Sequence, residues 1–323
     1  MWGYHGVACS WAVATLFGNI FFIMPLDCPY RACGVTVKTF DTKAMAGSKQ
    51  GYVWGIYEDK IPYLIKDAGE PALIIFEPSR ELLKNITLRV DEVIKIYKMI
   101  LPANCSLCVL GYDPNLPAAH TQEQIATAFA TFIKANYRPG ILIGISYGGF
   151  IALPFAAMYP ELVQKLVLLV SAYQPSAAGT TLMRRFMHLI EKEGHYQAAI
   201  KFNSLINNTL LRILYSFLTW AKRKTLATGA NPATTFINAY RQILKTGDGN
   251  KKYLAQIQAP TLVIGGTDDP FFSKELFEET AALIPQGKAV VFANQGHYLP
   301  LEKLKAVKKI LAEFIVTKGN SCC

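Results

Sequence analysis

The sequence predicts an α/β fold: a mostly parallel central sheet with helices on both faces and an inserted helical cap. Three observations support this. The chain has 323 residues, of which 51% are apolar, enough to bury a large core. Short apolar runs alternate with helix-length segments, as expected when helices cross between parallel strands. The alternation is interrupted once, in the middle of the chain. Because only 17% of residues are charged, the composition excludes a disordered chain.

The predicted strands are four to six residues long and almost continuously apolar, as strands buried on both faces should be. An antiparallel pair, at 52–57 and 62–65, comes first. The following runs are 72–76, 106–110, 141–145, 166–170, 261–264 and 289–292. Helix-length segments lie between them, at 80–99, 121–135, 148–159, 273–283 and 301–317.

The interruption runs from Ala172 to Ala259 and contains no strand-like alternation. We therefore assign residues 51–171 and 255–317 to the α/β core and residues 172–254 to a helical, basic cap. The most apolar stretch of this cap is 202–221, where Arg212 is the only charged residue. A helix so apolar is expected to be buried or to face something apolar.

The net charge of +10 is concentrated in the predicted cap, where twelve Lys or Arg stand against three acidic residues. Apolar runs separate these charges, a pattern that favours an anionic membrane surface or an acidic substrate over nucleic acid. The alternative is a solvated face that keeps the protein soluble.

The N-terminal segment, residues 1–30, is the second compositional anomaly. From Met1 to Leu26 there is no Asp, Glu, Lys or Arg, and 7–26 is long enough to cross a bilayer as a helix. A cleaved signal peptide is a second interpretation, although the positively charged start is missing. An apolar flap packed on the domain is a third.

The clearest chemical motif is the segment 144–148, Gly-Ile-Ser-Tyr-Gly, between a predicted strand and a predicted helix. A sharp turn there presents the Ser146 hydroxyl above the sheet and at a helix N-terminus, where amides favour developing negative charge. Gly144 and Gly148 are required because side chains at these positions would press against the turn. The pattern predicts that Ser146 is a nucleophile.

A nucleophilic serine needs a base and an acid that orients the base. His297 follows a strand and precedes the last helix, which makes it the preferred base, with His120 as the rival. Two adjacent carboxylates, Asp268 and Asp269, follow the strand at 261–264, and either one is able to cap the next helix instead. Asp113 also follows a strand but is interpreted as a turn residue.

With these motifs, residues 51–317 resemble the cap-bearing branch of the α/β-hydrolase family. The matching segments contain Ser146 in Gly-Ile-Ser-Tyr-Gly-Gly, Asp269 in Gly-Gly-Thr-Asp-Asp and His297 in Gln-Gly-His. The family order is nucleophile, acid, histidine, and its spacing favours Asp269 over Asp268. The resemblance implies cleavage of a small apolar ester or lipid-like ester through an acyl-enzyme intermediate, with no metal and no cofactor.

One departure from the family pattern concerns the oxyanion hole. The family carries His-Gly after its third strand, whereas this chain has Glu77-Pro78 there. Proline has no amide hydrogen, so the expected donors are the backbone N–H groups of Tyr147 and of Ser79 or Glu77. Thioesterase, lactonase and C–C hydrolase activities on the same triad remain alternatives, as does a catalytically weak ligand-binding protein.

Overall fold

A computed structural model describes residues 45–224, 230–245 and 247–316 of the chain. The N-terminal segment 1–30, with its predicted anchor, signal or flap, lies outside these ranges. Among the described residues no helix combines the length and the apolar character needed to cross a membrane.

The core is a nine-stranded sheet, as the alternation of strands and helices predicted. Its strand order is β1-β2-β3-β5-β4-β6-β7-β8-β9. The pairs β1–β2, β2–β3 and β3–β5 are antiparallel, and every pair from β5–β4 to β8–β9 is parallel. The strands are β1 Met45–Lys49, β2 Tyr52–Tyr57, β3 Ile61–Lys66, β4 Ala72–Phe76, β5 Ser106–Leu110, β6 Gly140–Ile145, β7 Val163–Leu169, β8 Thr261–Gly266 and β9 Gly287–Phe292.

Helices connect the parallel strands and cover both faces of the sheet. They are α1 Val90–Ile100, α2 Gln122–Asn136, α3 Tyr147–Met158, α4 Ala177–Asn203, α5 Thr209–Ala221, α6 Ala233–Lys245, α7 Lys251–Leu254, α8 Lys274–Ala282, α9 Leu299–Glu302 and α10 Leu304–Val316. Two buried clusters, one on each face, pack these helices against the strands. Fold class and sheet type are therefore confirmed.

The helix predicted at 80–99 was wrong in its first half. Short 3₁₀ turns occupy Ser79–Leu82 and Ile86–Leu88, and α1 starts only at Val90. The side chain of Asn85 caps the second turn by accepting from the Thr87 amide (3.1 Å). Such a local bond competes with helix continuation, and it separates the second turn from the first.

The inserted residues 172–254 contain four described helices, α4 to α7, and no described strand. The break in α4 falls at Gly194, whose φ of 81° is not helical. At the far end of the insertion, Asn250 Nδ2 donates to the carbonyl of Phe150 in α3 (2.8 Å). Pro154 lacks the amide that would serve this carbonyl, so Asn250 satisfies an acceptor that the proline leaves free.

For the apolar stretch at 202–221 the sequence predicts burial or contact with something apolar, and α5 is not buried. This helix has no buried residue, and its large apolar side chains are exposed to solvent. It instead places its polar side chains toward the protein. Thr219 Oγ1, for example, accepts a hydrogen bond from Asn203 Nδ2 (2.8 Å).

Candidate active site

Ser146 stands at the turn between β6 and α3 with φ 51° and ψ −113°. A non-glycine residue with positive φ is uncommon, and the strain is tolerated because surrounding contacts fix the turn. A Cβ on Gly144 would lie 2.7 Å from that of Ala152, and one on Gly148 would collide with the carbonyl of Phe76. Both glycines are thus sterically required where the sequence predicted them.

Three side chains form one hydrogen-bonded chain at the carboxyl edge of the sheet. Ser146 Oγ lies 2.8 Å from His297 Nε2, and His297 Nδ1 lies 2.7 Å from Asp269 Oδ2. The Asp269 side chain is fully buried and that of His297 is 12% exposed. The imidazole is therefore held between a hydroxyl that it can deprotonate and a carboxylate that fixes its orientation.

The two adjacent carboxylates have different environments. Asp269 Oδ1 accepts from the amides of Phe271 (2.9 Å) and Phe272 (3.3 Å), which leaves Oδ2 for the histidine. Asp268 is exposed, and its carboxylate accepts only a local bond from Thr267 Oγ1 (2.8 Å). Of the two, Asp269 is the one in contact with His297.

The loops that carry the acid and the histidine are bonded to each other. The Asp268 amide donates to the carbonyl of Gln295 (2.9 Å), and the Asn294 amide donates to Thr267 Oγ1 (2.9 Å). A side chain at Gly266 would collide with the Gln295 carbonyl. These hydrogen bonds between the two loops fix the position of His297 relative to Asp269, in addition to the bond between the two side chains.

The other candidate residues lie elsewhere. His120 is buried with Nδ1 2.6 Å from the Pro117 carbonyl, and burial lowers the pKa of its imidazole. Asp113 accepts from the Asn115 amide (2.7 Å), as a turn residue would. Neither is hydrogen-bonded to Ser146 or His297.

The predicted oxyanion donors belong to two segments that meet beside Ser146. The amide of Tyr147 is the first of α3, and the amide of Ser79 is the first of the 3₁₀ turn that follows β4. First amides have no acceptor within their own helix. The close approach of Gly148 to the Phe76 and Glu77 carbonyls brings the segments together. The amide of Glu77 already donates to the Leu110 carbonyl (3.2 Å), so of the two alternatives Ser79 is the candidate for the second donor.

The Glu77 carboxylate belongs to a buried network below the turn. Its Oε2 lies 3.1 Å from Arg89 Nη2, and its Oε1 accepts a short hydrogen bond from Tyr97. The same guanidinium nitrogen lies 2.8 Å from Glu81 Oε2. The carbonyl of Glu77 accepts from Tyr112 Oη (2.6 Å). Backbone and side chain of this turn are therefore both fixed.

Sequence reasoning missed Arg89, Tyr97 and Tyr112, which hold this turn. A partial signal was present, because Glu77 directly follows the apolar run 72–76, and Glu81 and Arg89 stand four and twelve positions after it. Burial raises the pKa of the Glu81 carboxyl well above its ordinary value, although the Arg89 cation acts in the opposite direction. The network around Glu77 is buried only because of the tertiary fold, so its burial could not be predicted from the sequence.

A family profile described as alpha/beta hydrolase fold matches residues 111–304, more than half of the chain. The chain belongs to this family. Among solved structures similar to this α/β hydrolase is MGS-M2, an alpha/beta hydrolase enzyme from a Medee basin deep-sea metagenome library. It has a TM-score of 0.64 and 18% sequence identity, over 84% of this chain and all of that one. At this identity the likeness concerns the fold alone.

Two curated relatives of this α/β hydrolase carry more specific names. A probable acyltransferase of Methanothermobacter thermautotrophicus is 28% identical over 187 residues, covering 54% of this chain. The mouse monoacylglycerol lipase ABHD6 is 25% identical over 205 residues, covering 60% of this chain. The matches span 59% of the length of the first protein and 60% of the second.

Proposed function

We propose that this α/β hydrolase is a serine hydrolase that cleaves a carboxylic ester or lipid-like ester through an acyl-enzyme intermediate. The observation that carries the proposal is the continuous contact from Ser146 Oγ through His297 to buried Asp269. A hydroxyl in such contact with an oriented imidazole is activated for attack on an acyl carbon.

In the proposed first step, Ser146 Oγ attacks the ester carbonyl and His297 Nε2 takes its proton. The carbonyl oxygen becomes an oxyanion, for which the amides of Tyr147 and Ser79 are the proposed donors. His297 then protonates the departing alcohol, and the serine is left acylated. In the second step His297 deprotonates a water molecule, which attacks the acyl carbon and regenerates Ser146.

The role proposed for Asp269 is to keep the imidazole in the tautomer that presents a free Nε2 to the serine. Two backbone amides hold one carboxylate oxygen, so the other is directed at His297 Nδ1. The carboxylate stabilises the imidazolium that forms in each step without itself taking the proton.

An apolar acyl or alcohol group is the proposed substrate feature. The ring of Phe271 lies 4.7 Å and that of Phe272 6.1 Å from the imidazole of His297, between centroids. Tyr147, next to the nucleophile, stacks against Tyr240 of α6 (6.5 Å). The relative named monoacylglycerol lipase supports an ester of a lipid alcohol, and the one named probable acyltransferase supports an acyl-enzyme route.

The Glu77-Pro78 departure does not favour the alternative of a weak ligand-binding protein. The carboxylate that would oppose an oxyanion is 3% exposed as a residue and is paired with Arg89. The amide that Pro78 lacks is replaced in this proposal by that of Ser79, which begins the following 3₁₀ turn.

The test is covalent labelling with a fluorophosphonate probe. Wild-type protein should be labelled, and Ser146→Ala should lose the label. The matched control is Ser171→Ala, because Ser171 is also buried close to the turn and its hydroxyl has no partner among the described residues. Equal labelling of wild type and Ser146→Ala would overturn the proposal. A panel of esters, thioesters and lactones then separates esterase activity from the alternative activities by relative kcat/KM.

A further inference from the structure

Helix α5, at Thr209–Ala221, has its amphipathic pattern reversed. Six of its large apolar side chains point to solvent and form what we call the α5 outer face, whereas Leu211 is half-buried. Residues Leu210, Ile213, Leu214, Phe217, Leu218 and Trp220 compose it, with exposed fractions between 42% and 79%. Tyr215, Ser216 and Thr219 are half-buried on the opposite side. A contiguous exposed apolar patch of this kind marks an interaction surface.

The charge of this part of the chain indicates the kind of partner. Residues 194–247, which include α5, contain seven Lys or Arg and no Asp or Glu. At the end of the face the guanidinium of Arg223 lies over the ring of Trp220, 4.6 Å from its centroid. An apolar stripe with aromatic rings and flanking cations is the pattern of helices that lie in an anionic lipid interface.

The position of α5 relates this face to the proposed active site. The Asn208 amide, just before the helix, donates to Glu302 Oε1 (2.7 Å). A Cβ on Gly296, the neighbour of His297, would lie 2.9 Å from Asn207 Oδ1. The helix therefore begins at the loop that carries the histidine.

On the inner side of α5, Tyr215 lies near Arg80. Burial raises the pKa of the Tyr215 phenol, and the nearby Arg80 cation acts in the opposite direction. Arg80 is the residue after Ser79. One helix thus lies close both to the histidine loop and to the proposed oxyanion turn.

We propose that the α5 outer face docks onto an anionic lipid surface and places the entrance of the site at that surface. The proposal rests on the proposed function for its substrate, a lipid ester, but the docking step itself does not require catalysis. A second copy of the chain is a poorer occupant because two such cation-rich faces repel each other. The apolar segment 7–26 has no acidic residue to match these charges.

The experiment measures binding of the full chain to phosphatidylcholine vesicles with and without phosphatidylserine. Wild-type protein should bind more tightly when phosphatidylserine is present, and added salt should weaken this binding. Leu210→Ser with Phe217→Ser should bind at least about tenfold more weakly, from the loss of two large apolar groups. The control, Met158→Ser with Val316→Ser, changes exposed apolar residues on α3 and α10 and should bind as wild type does.

Arg223→Gln gives a second variant, because it removes a cation beside the α5 outer face and leaves the apolar side chains of that face unchanged. We expect binding to weaken about fivefold on vesicles with phosphatidylserine and to stay unchanged without it. Circular dichroism should show unchanged helix content in all variants, since every substituted side chain is exposed.

Several results would overturn the docking proposal. One is equal vesicle binding by wild type and the α5 double variant, which would place the contact elsewhere, for example in segment 7–26. Another is a wild-type dimer that the α5 double variant converts to a monomer. Ser146→Ala separates the two proposals: it should lose the fluorophosphonate label and still bind vesicles. Labelling that survives in Ser146→Ala contradicts the proposed function and leaves the docking result valid.

Discussion

Arg89 is the residue whose replacement tests most directly how the proposed oxyanion turn is held. Its side chain is 6% exposed and lies between the carboxylates of Glu77 and Glu81, at 3.1 and 2.8 Å. Its Nε donates to the Lys84 carbonyl (2.7 Å). Replacement by methionine keeps most of the apolar volume and removes the charge and all of these bonds.

The expected loss of stability is large because two buried carboxylates lose their shared cation. Removing one partner of a buried ion pair costs about 3–5 kcal/mol of unfolding free energy. For a domain of this size each kcal/mol lowers Tm by roughly 2–4 °C, so we expect Arg89→Met to melt about 6–20 °C below wild type. Lys49→Met is the matched control. Its partner is Asp91 in an exposed pair (2.9 Å), for which a loss of less than about 1 kcal/mol is expected.

Activity should fall through kcat more than through KM. The backbone of Glu77 adjoins Gly148, so a displaced turn moves the Ser79 amide relative to Ser146. A misplacement of this kind costs between about tenfold and a hundredfold in rate. The assay is hydrolysis of a water-soluble ester well below the melting temperature of the variant, beside urea unfolding of all variants.

Rescue distinguishes a specific network from general damage. Arg89→Met combined with Glu81→Gln removes one of the two unpaired carboxylates and should recover part of the lost stability. If Arg89→Met is no less stable than Lys49→Met, or if the second substitution destabilises it further, the reasoning about buried charge is wrong.

Three further predictions concern the site and its surroundings. Asp269→Asn should lower kcat about 10⁴-fold by favouring the wrong tautomer of the histidine, whereas Asp268→Asn should leave kcat within twofold. Gly148→Ala should abolish activity, and soluble expression with melting curves shows whether it also unfolds. Because burial raises the pKa of Glu81 above its ordinary 4.5, the folded state keeps that proton longer than the unfolded state does. The stability that this proton contributes is fully present below pH 4.5 and is lost as the pH rises through the folded-state pKa. Glu81→Gln should therefore weaken the dependence of the unfolding free energy on pH, as measured by urea unfolding at several pH values.

The sheet could be predicted because strands that are buried on both faces appear in the sequence as uninterrupted runs of apolar residues. Strands β4 and β5, for example, are buried at every position, and each matched its predicted limits. The contact between Ser146 and His297 could be predicted for a related reason, because both residues follow strands that end at the same edge of a parallel sheet. Asp269 needed more information. Its selection over Asp268 depends on which carboxylate the loop turns inward.

Side-chain direction explains what sequence reasoning did not reach. In α5 the apolar stripe was visible, but the stripe alone does not say whether it faces the core or solvent. In the segment 80–99 helix-forming residues predicted one continuous helix. Pairing of Arg89 with Glu77 and Glu81, together with the Asn85 cap, instead produced two short turns. Contacts between side chains eight and twelve positions apart override local propensity.

The Glu77-Pro78 departure and the buried network are best understood as one adaptation. By Coulomb's law, two unit negative charges about 6 Å apart repel each other by roughly 3 kcal/mol at an effective dielectric constant of 20. That is about two orders of magnitude in rate. Arg89 and Tyr97 both contact the Glu77 carboxylate, so its negative charge is compensated within the buried network. We therefore expect an acidic residue at the proposed oxyanion turn to be tolerated because Arg89 compensates its charge, and we expect substitutions of Glu77 and Arg89 to be non-additive.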